Sequence, residues 1–149
     1  MREIKFRGKK DNDRYSCLDS HYRPYSDFIY GDLLNIGDGQ FKIKHQGDNR
    51  DKGVYVIPET VGQYTGLNDN NGKEIYEGDI VDNGHTVVYS SSAHQFRYIG
   101  IVKFDVKQGC LVIHNTDGNT KRITAKTVQT NKIKVLGNIY DNPGLLEGQ

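Results

Sequence analysis

Apolar residues in this chain recur mostly at every second position, the spacing of strands whose two faces meet different surroundings. Ile4 and Phe6 share one face, with Glu3, Lys5 and Arg7 on the other, which predicts a short opening strand. Asp11 to Arg14 is a polar break. Phe28 to Ile36 predicts a strand kinked at Gly31, Gly37-Asp38-Gly39 a reversal, and Phe41 with Ile43 the return strand of a hairpin. Gln46 to Gly53 is polar and predicts an exposed loop, and Val54 to Ile57 a brief strand stopped by Pro58. Asn71-Gly72 predicts a tight hairpin with positive φ at both central residues. Gly78-Asp79 predicts a second reversal, opening into a strand region from Asp79 to Tyr89. Ser90 to His94 is a loop.

Strands follow around Val102, Phe104 and Val106, from Cys110 to His114, and from Lys121 to Thr124 after a turn at Asp117-Gly118. Thr124 to Asn131 predicts about one helical turn. Ile133, Val135 and Ile139 share a face, with a bulge or close backbone approach at Gly137. Asn142-Pro143 predicts a brief terminal turn. The chain therefore reads as mainly β, α+β at most. A β-rich N-terminal subdomain spans 1–60. The remainder, 61–149, has the strand order of an SH3-like barrel, whose closure hides strand edges. A small sandwich has the same periodicity.

Composition narrows the class. The 149 residues, 35% of them apolar, suffice for one core or two small ones. A formal charge of +1 supplies no overall field toward nucleic acid or an anionic membrane. No apolar run approaches the ~20 residues of a membrane span. The charged, alternating opening is unlike a secretory signal, so a cytoplasmic protein is expected. Cys17 and Cys110 stand far apart without a CxxC partner and are expected as reduced thiols.

Three blocks carry a resemblance to a known family. MREIKFRGK, GQYTGLNDNNGKEIYEGDIV and KVLGNIYDNPGLLEG resemble the opening strand, central signature and closing strand of the YopX family of phage and prophage proteins. GIVKFDVKQGCLVIHN is similar to that family's paired strands. The departure is Gly8-Lys9-Lys10, where members often carry an Ala-Trp-Asp-like run. The resemblance implies an N-terminal mixed subdomain, a C-terminal SH3-like barrel, a phage or prophage origin and the cytoplasm of a bacterial host. It implies no activity, and hence no catalytic residues.

Placing Gly72 or Gly118 as the sixth residue of an EF-hand loop puts Gly78 or Thr124 where a Glu is required, so Asn68 to Asn71 reads as turn chemistry. His21, His45, His85, His94 and His114 form no HExxH and no zinc spacing with the cysteines. No Walker A, GxGxxG or GxSxG string occurs. Glu74, Glu77 and Asp79 cluster, but Asp79 more simply accepts backbone N–H bonds in its turn. No cofactor, metal or catalytic residue is expected. The favoured reading is a non-enzymatic interaction module that pairs with itself or with a phage or host protein. Its candidate surface is Tyr64, Asn70, Asn71, Tyr76 and Glu77, since Tyr beside Asn/Gly loops makes adaptable contacts; the alternative is that both tyrosines seat the hairpin against the barrel. The rival is a nucleic-acid patch of Arg97, Tyr98, Lys121, Arg122, Lys132 and Lys134, with Tyr98 as a stacking platform.

Overall fold

Local turn chemistry converts the alternating pattern into antiparallel strands. The computed structural model describes residues 3–12, 28–47, 52–84 and 97–147. Two compact units are present, Met1–Tyr64 and Thr65–Gln149. The expected strand from 83 toward Tyr89 and the loop Ser90 to His94 fall largely outside the described residues, as do Cys17, His21, His85 and His94.

In the first unit the strands are β1 (Phe6–Lys9), β2 (Phe28–Gly37), β3 (Gln40–Lys44), β4 (Val54–Val56) and the start of β5 (Gly62–Asn68). They lie in the order β4-β3-β2-β1-β5, antiparallel throughout. Gly31 is the hinge of this sheet. Residues 28–31 of β2 pair with β1, and from Asp32 onward β2 pairs with β3. At Gly31 φ is +154°, and a Cβ would stand 1.9 Å from the Lys44 carbonyl oxygen, so only glycine fits the change of partner. Asp38 and Gly39 both have positive φ, the conformation of a two-residue hairpin turn.

The opening strand departs from its expected faces. Ile4 is 63% exposed, whereas Arg7 is 5% exposed. The guanidinium of Arg7 lies 4.6 Å from the centre of the Phe28 ring. Its planar, weakly hydrated cation stacks on an aromatic face at low desolvation cost, so the alternation misassigned the buried side. Gly8 packs under β4, since a Cβ there would meet Val56 Cβ at 3.0 Å.

The second unit holds the rest of β5, hydrogen-bonded to β6 (Glu74–Tyr76), and a five-stranded sheet. That sheet comprises β7 (Asp79–Asp82), β8 (Ile99–Asp105), β9 (Cys110–His114), β10 (Thr120–Arg122) and β11 (Lys134–Asn138), in the order β10-β9-β8-β7-β11. Between β10 and β11 comes α1 (Ala125–Asn131), two turns rather than one. Thr124 caps it by accepting from the Thr127 N–H, while Thr127 Oγ1 accepts from the Thr124 N–H. Lys132, at φ 51°, ends it in the left-handed region.

The mainly-β class holds, but the expected barrel closure does not form: among the described residues β10 and β11 remain the edges of an open sheet. Helix α1 occupies the chain between those strands, and its Val128 joins Ile75, Val81, Val102, Ile113, Ile123 and Ile133 in the core. The helix thus contributes apolar surface to a core lined otherwise by strand side chains and by Ile123 and Ile133, which flank the helix outside β10 and β11. Register shifts between Val135 and Gly137, and a Cβ at Gly137 would meet the Asn142 side chain at 2.4 Å, so that position is both bulge and close approach.

Candidate functional site

The central signature resolves into a three-residue loop on a buried carboxylate. Thr65 Oγ1 donates to the Ile75 carbonyl at 2.7 Å, fastening β5 to β6. Asn70, Asn71 and Gly72 connect Asp69 to Lys73. The Asp69 N–H donates to the Lys73 carbonyl at 2.7 Å, and the Gly72 N–H to the Asp69 carbonyl at 3.0 Å. Gly72 alone in this loop takes positive φ, at 81°. The expected turn with two positive-φ residues is therefore replaced by a one-residue-longer loop with glycine at its left-handed position. The reason is Asp69, which supplies what the two-residue turn lacks, a side-chain acceptor for the inner amides.

Asp69 Oδ1 accepts from the N–H groups of Asn71 at 2.8 Å and Lys73 at 2.9 Å. Its Oδ2 accepts from the Val135 N–H of β11 at 3.0 Å. The Asn70 N–H donates to the Ile133 carbonyl at 2.9 Å. The loop is thus tied to the final strand through backbone and side chain alike. Burial pushes the Asp69 carboxyl up, but the Val135, Lys73 and Asn71 amides, with the Lys73 charge, outweigh it and hold the carboxyl below its ordinary value.

The sequence-predicted surface residues take different places. Asn70 and Asn71 are exposed at the loop tip. Tyr64, in the first unit, is 8% exposed, and Tyr76 is 2% exposed, so neither presents its ring to a partner. Lys5 Nζ lies 5.4 Å from the centre of the Tyr64 ring. Tyr76 donates its hydroxyl to Glu74 Oε2 at 2.7 Å and its N–H to Asp79 Oδ2 at 2.8 Å. Two of the three clustered carboxylates therefore serve the hairpin. Glu77 is half-buried. Sequence reasoning took Asp69 only as part of the Asn68 to Asn71 turn chemistry and not as the residue that organises the loop. The readable signal was an Asp three positions before a turn glycine, a spacing that lets one side chain cap the amides ahead of it.

The alternative patch comes together only in part. Lys121 Nζ sits 4.3 Å from the centre of the Tyr98 ring. The Tyr98 hydroxyl lies 2.8 Å from the Asn119 carbonyl and 3.1 Å from that of Ile113. One face of the expected stacking platform is thus covered by a cation and its polar tip is engaged by backbone. Burial raises the Tyr98 phenol and lowers the Lys121 ammonium. Arg97 is exposed and approaches Asp82 Oδ2 at 3.6 Å, and Lys134 stands opposite Asp82 across the β7–β11 ladder. Arg122 is exposed on β10, and Lys132 is the residue that ends α1. Among the described residues no group of three or more His, Cys, Asp or Glu converges as metal ligands would, and no helix is long and apolar enough to cross a membrane.

Three comparisons bear on this arrangement. The profile of a family described as "YopX protein" matches residues 5–147. No curated protein matches the chain. Among solved structures, the chain is similar to the one titled "Crystal structure of protein EF1440 from Enterococcus faecalis", with 21% identity, a TM-score of 0.45, and coverage of 99% of this chain and 100% of that one.

Proposed function

We propose a non-enzymatic protein-interaction role for this chain, which belongs to the YopX family over residues 5–147. The contacting element is the loop tip, Asn70 and Asn71, and the first partner to test is a second copy of the chain. One observation carries this reading. Two exposed amide side chains stand on a reversal that is hydrogen-bonded within itself and onto β11. A tip fixed before it meets a partner loses little freedom on binding. Side-chain amides offer both donors and acceptors, so they suit a polar contact.

Assembly through sheet edges is the less favoured route. Strand β10 has three residues and carries Lys121 and Arg122, and β11 is bulged. Short, charged or bulged edges resist strand addition. The proposal asks for no cofactor. It includes a phage or prophage origin and action in the cytoplasm of a bacterial host, where a phage or host protein could take the second copy's place. The support for those parts is the likeness of the opening, central and closing blocks to the family.

Sedimentation equilibrium over a concentration series tests the self-association. The expected result is a mass rising above 16.9 kDa with concentration. An Asn70→Arg, Asn71→Arg variant should stay monomeric, while Thr116→Arg, on another exposed loop, should assemble as wild type does. A monomer at every concentration removes self-association, and unchanged assembly of the tip variant removes the loop.

A further inference from the structure

The sequence contains two Asn-Gly dipeptides, Asn71-Gly72 and Asn83-Gly84. Glycine after asparagine leaves the backbone nitrogen unobstructed on its approach to the preceding side-chain carbonyl carbon. We propose that Asn71 is a self-modification site, which loses its amide to become aspartate or isoaspartate in the folded protein, while the fold shields Asn83. The inference goes beyond the contact role and does not depend on it.

The step balances with water alone. The Gly72 nitrogen gives up its proton to solvent base and attacks Asn71 Cγ. A nitrogen–carbon bond forms, the bond from Cγ to the side-chain nitrogen breaks, and ammonia leaves. Water then opens the cyclic imide at one of its two carbonyls. Opening at Cγ yields aspartate, and opening at the main-chain carbonyl yields isoaspartate.

The two sites differ in what must be undone first. At Asn71 the side chain is exposed, and the attacking nitrogen is held by one backbone bond, to the Asp69 carbonyl at 3.0 Å. A Cβ at Gly72 would meet nothing within 4 Å, so the peptide has room to rotate. At Asn83 the residue is buried, and its Oδ1 accepts from Asn131 Nδ2 at 3.1 Å. The Asn83 N–H donates to the Tyr98 carbonyl at 2.9 Å, and the Gly84 N–H to Asp82 Oδ1 at 2.8 Å. A Cβ at Gly84 would stand 2.0 Å from the Asn131 carbonyl oxygen, so this peptide is wedged against the end of α1. Attack at Asn83 needs local unfolding, whereas attack at Asn71 needs only the tip to open.

Conversion to isoaspartate routes the main chain through the former side chain and lengthens the backbone between positions 71 and 72. Asp69 Oδ1 then no longer spans the amides of residues 71 and 73, so the modification opens the loop that Asp69 holds shut. The test ages the full chain in mildly alkaline buffer, folded and in urea, and follows both positions by peptide mapping with mass spectrometry. In the folded protein Asn71 should convert and Asn83 should lag about tenfold or more, since further buried hydrogen bonds stand before its attack. In urea the two rates should converge. An Asn71→Gln variant should lose the early conversion while its circular dichroism stays unchanged. Folded Asn83 keeping pace with Asn71, or Asn71 staying intact in the folded chain while the urea sample converts, overturns the proposal.

Discussion

Two loops of the second unit share their backbone hydrogen bonds and differ in the functional group of the residue that opens each. In residues 69–73 the amide of Asp69 donates to the Lys73 carbonyl, and in residues 115–119 the amide of Asn115 donates to the Asn119 carbonyl. The N–H groups of Gly72 and Gly118 close each turn, and both glycines have φ of 81°. Asp69 and Asn115 are 6% and 8% exposed, and each Oδ1 accepts from the last amide of its loop. The second side-chain atom separates them. A carboxylate has a second acceptor, and Asp69 spends it on the Val135 N–H. An amide has a donor there, and Asn115 turns it back on Asp117 Oδ2 at 3.2 Å. The Asp69 side chain therefore moors its loop to a distant strand, whereas the Asn115 side chain stays within its own loop. The lesson is that Asp and Asn are interchangeable as turn caps but not as anchors.

The largest effect that would break this contrast is Asp69→Asn. It turns a donor toward the Val135 N–H and should cost about 2–3 kcal/mol in urea unfolding, the loss of one satisfied amide plus a donor facing a donor. A cost near zero would mean that the mooring contributes nothing. Next, Gly72→Ala and Gly118→Ala should each cost about 1 kcal/mol, because φ is equally left-handed at both and no atom obstructs either Cβ. Unequal costs would show that the scaffolds are not alike. Smaller still, Asn115→Asp should lose under about 1 kcal/mol, because it sets a carboxylate against Asp117, and added salt should recover part of it.

Acid sharpens the contrast further. The folded-state Asp69 carboxyl lies below its ordinary value of 3.8. Its contribution is thus present above that pH and fades as pH falls through the folded value. Wild type should lose more stability than Asp69→Asn on acidification, so the gap between them should narrow below that pH. Guanidinium unfolding across a pH series reads it directly. A gap that stays constant or widens would place the stabilisation elsewhere. The smallest expected effect is from Asn70→Arg, Asn71→Arg, which should alter stability by no more than about 0.5 kcal/mol, as befits solvent-facing tips.

Much of the local order was legible before any coordinates. The kink at Gly31, the reversal at Asp38-Gly39 and the bulge at Gly137 each follow from residues that only certain backbone conformations favour. Thr124 and Thr127 lie at capping spacing, though the helix they open runs longer than one turn. The faces of β1 were misread because alternation treats Arg7 as a solvent residue, while a ring from β2 gives its cation a buried seat. In the candidate site, Asn70 and Asn71 were legible as an exposed turn. Tyr64 and Tyr76 read equally as surface or as seating the hairpin, and their burial was decided by what packs above the strand.

The sequence by itself determined where this chain turns and which stretches extend, because positive φ, capping and two-residue periodicity are settled among near neighbours. Tertiary structure alone decided that β2 changes partners at Gly31, that the second sheet stays open among the described residues, and that Asp69 reaches an amide sixty-six residues away. Those outcomes depend on which distant backbone groups arrive within hydrogen-bonding reach, and no local pattern specifies that arrival.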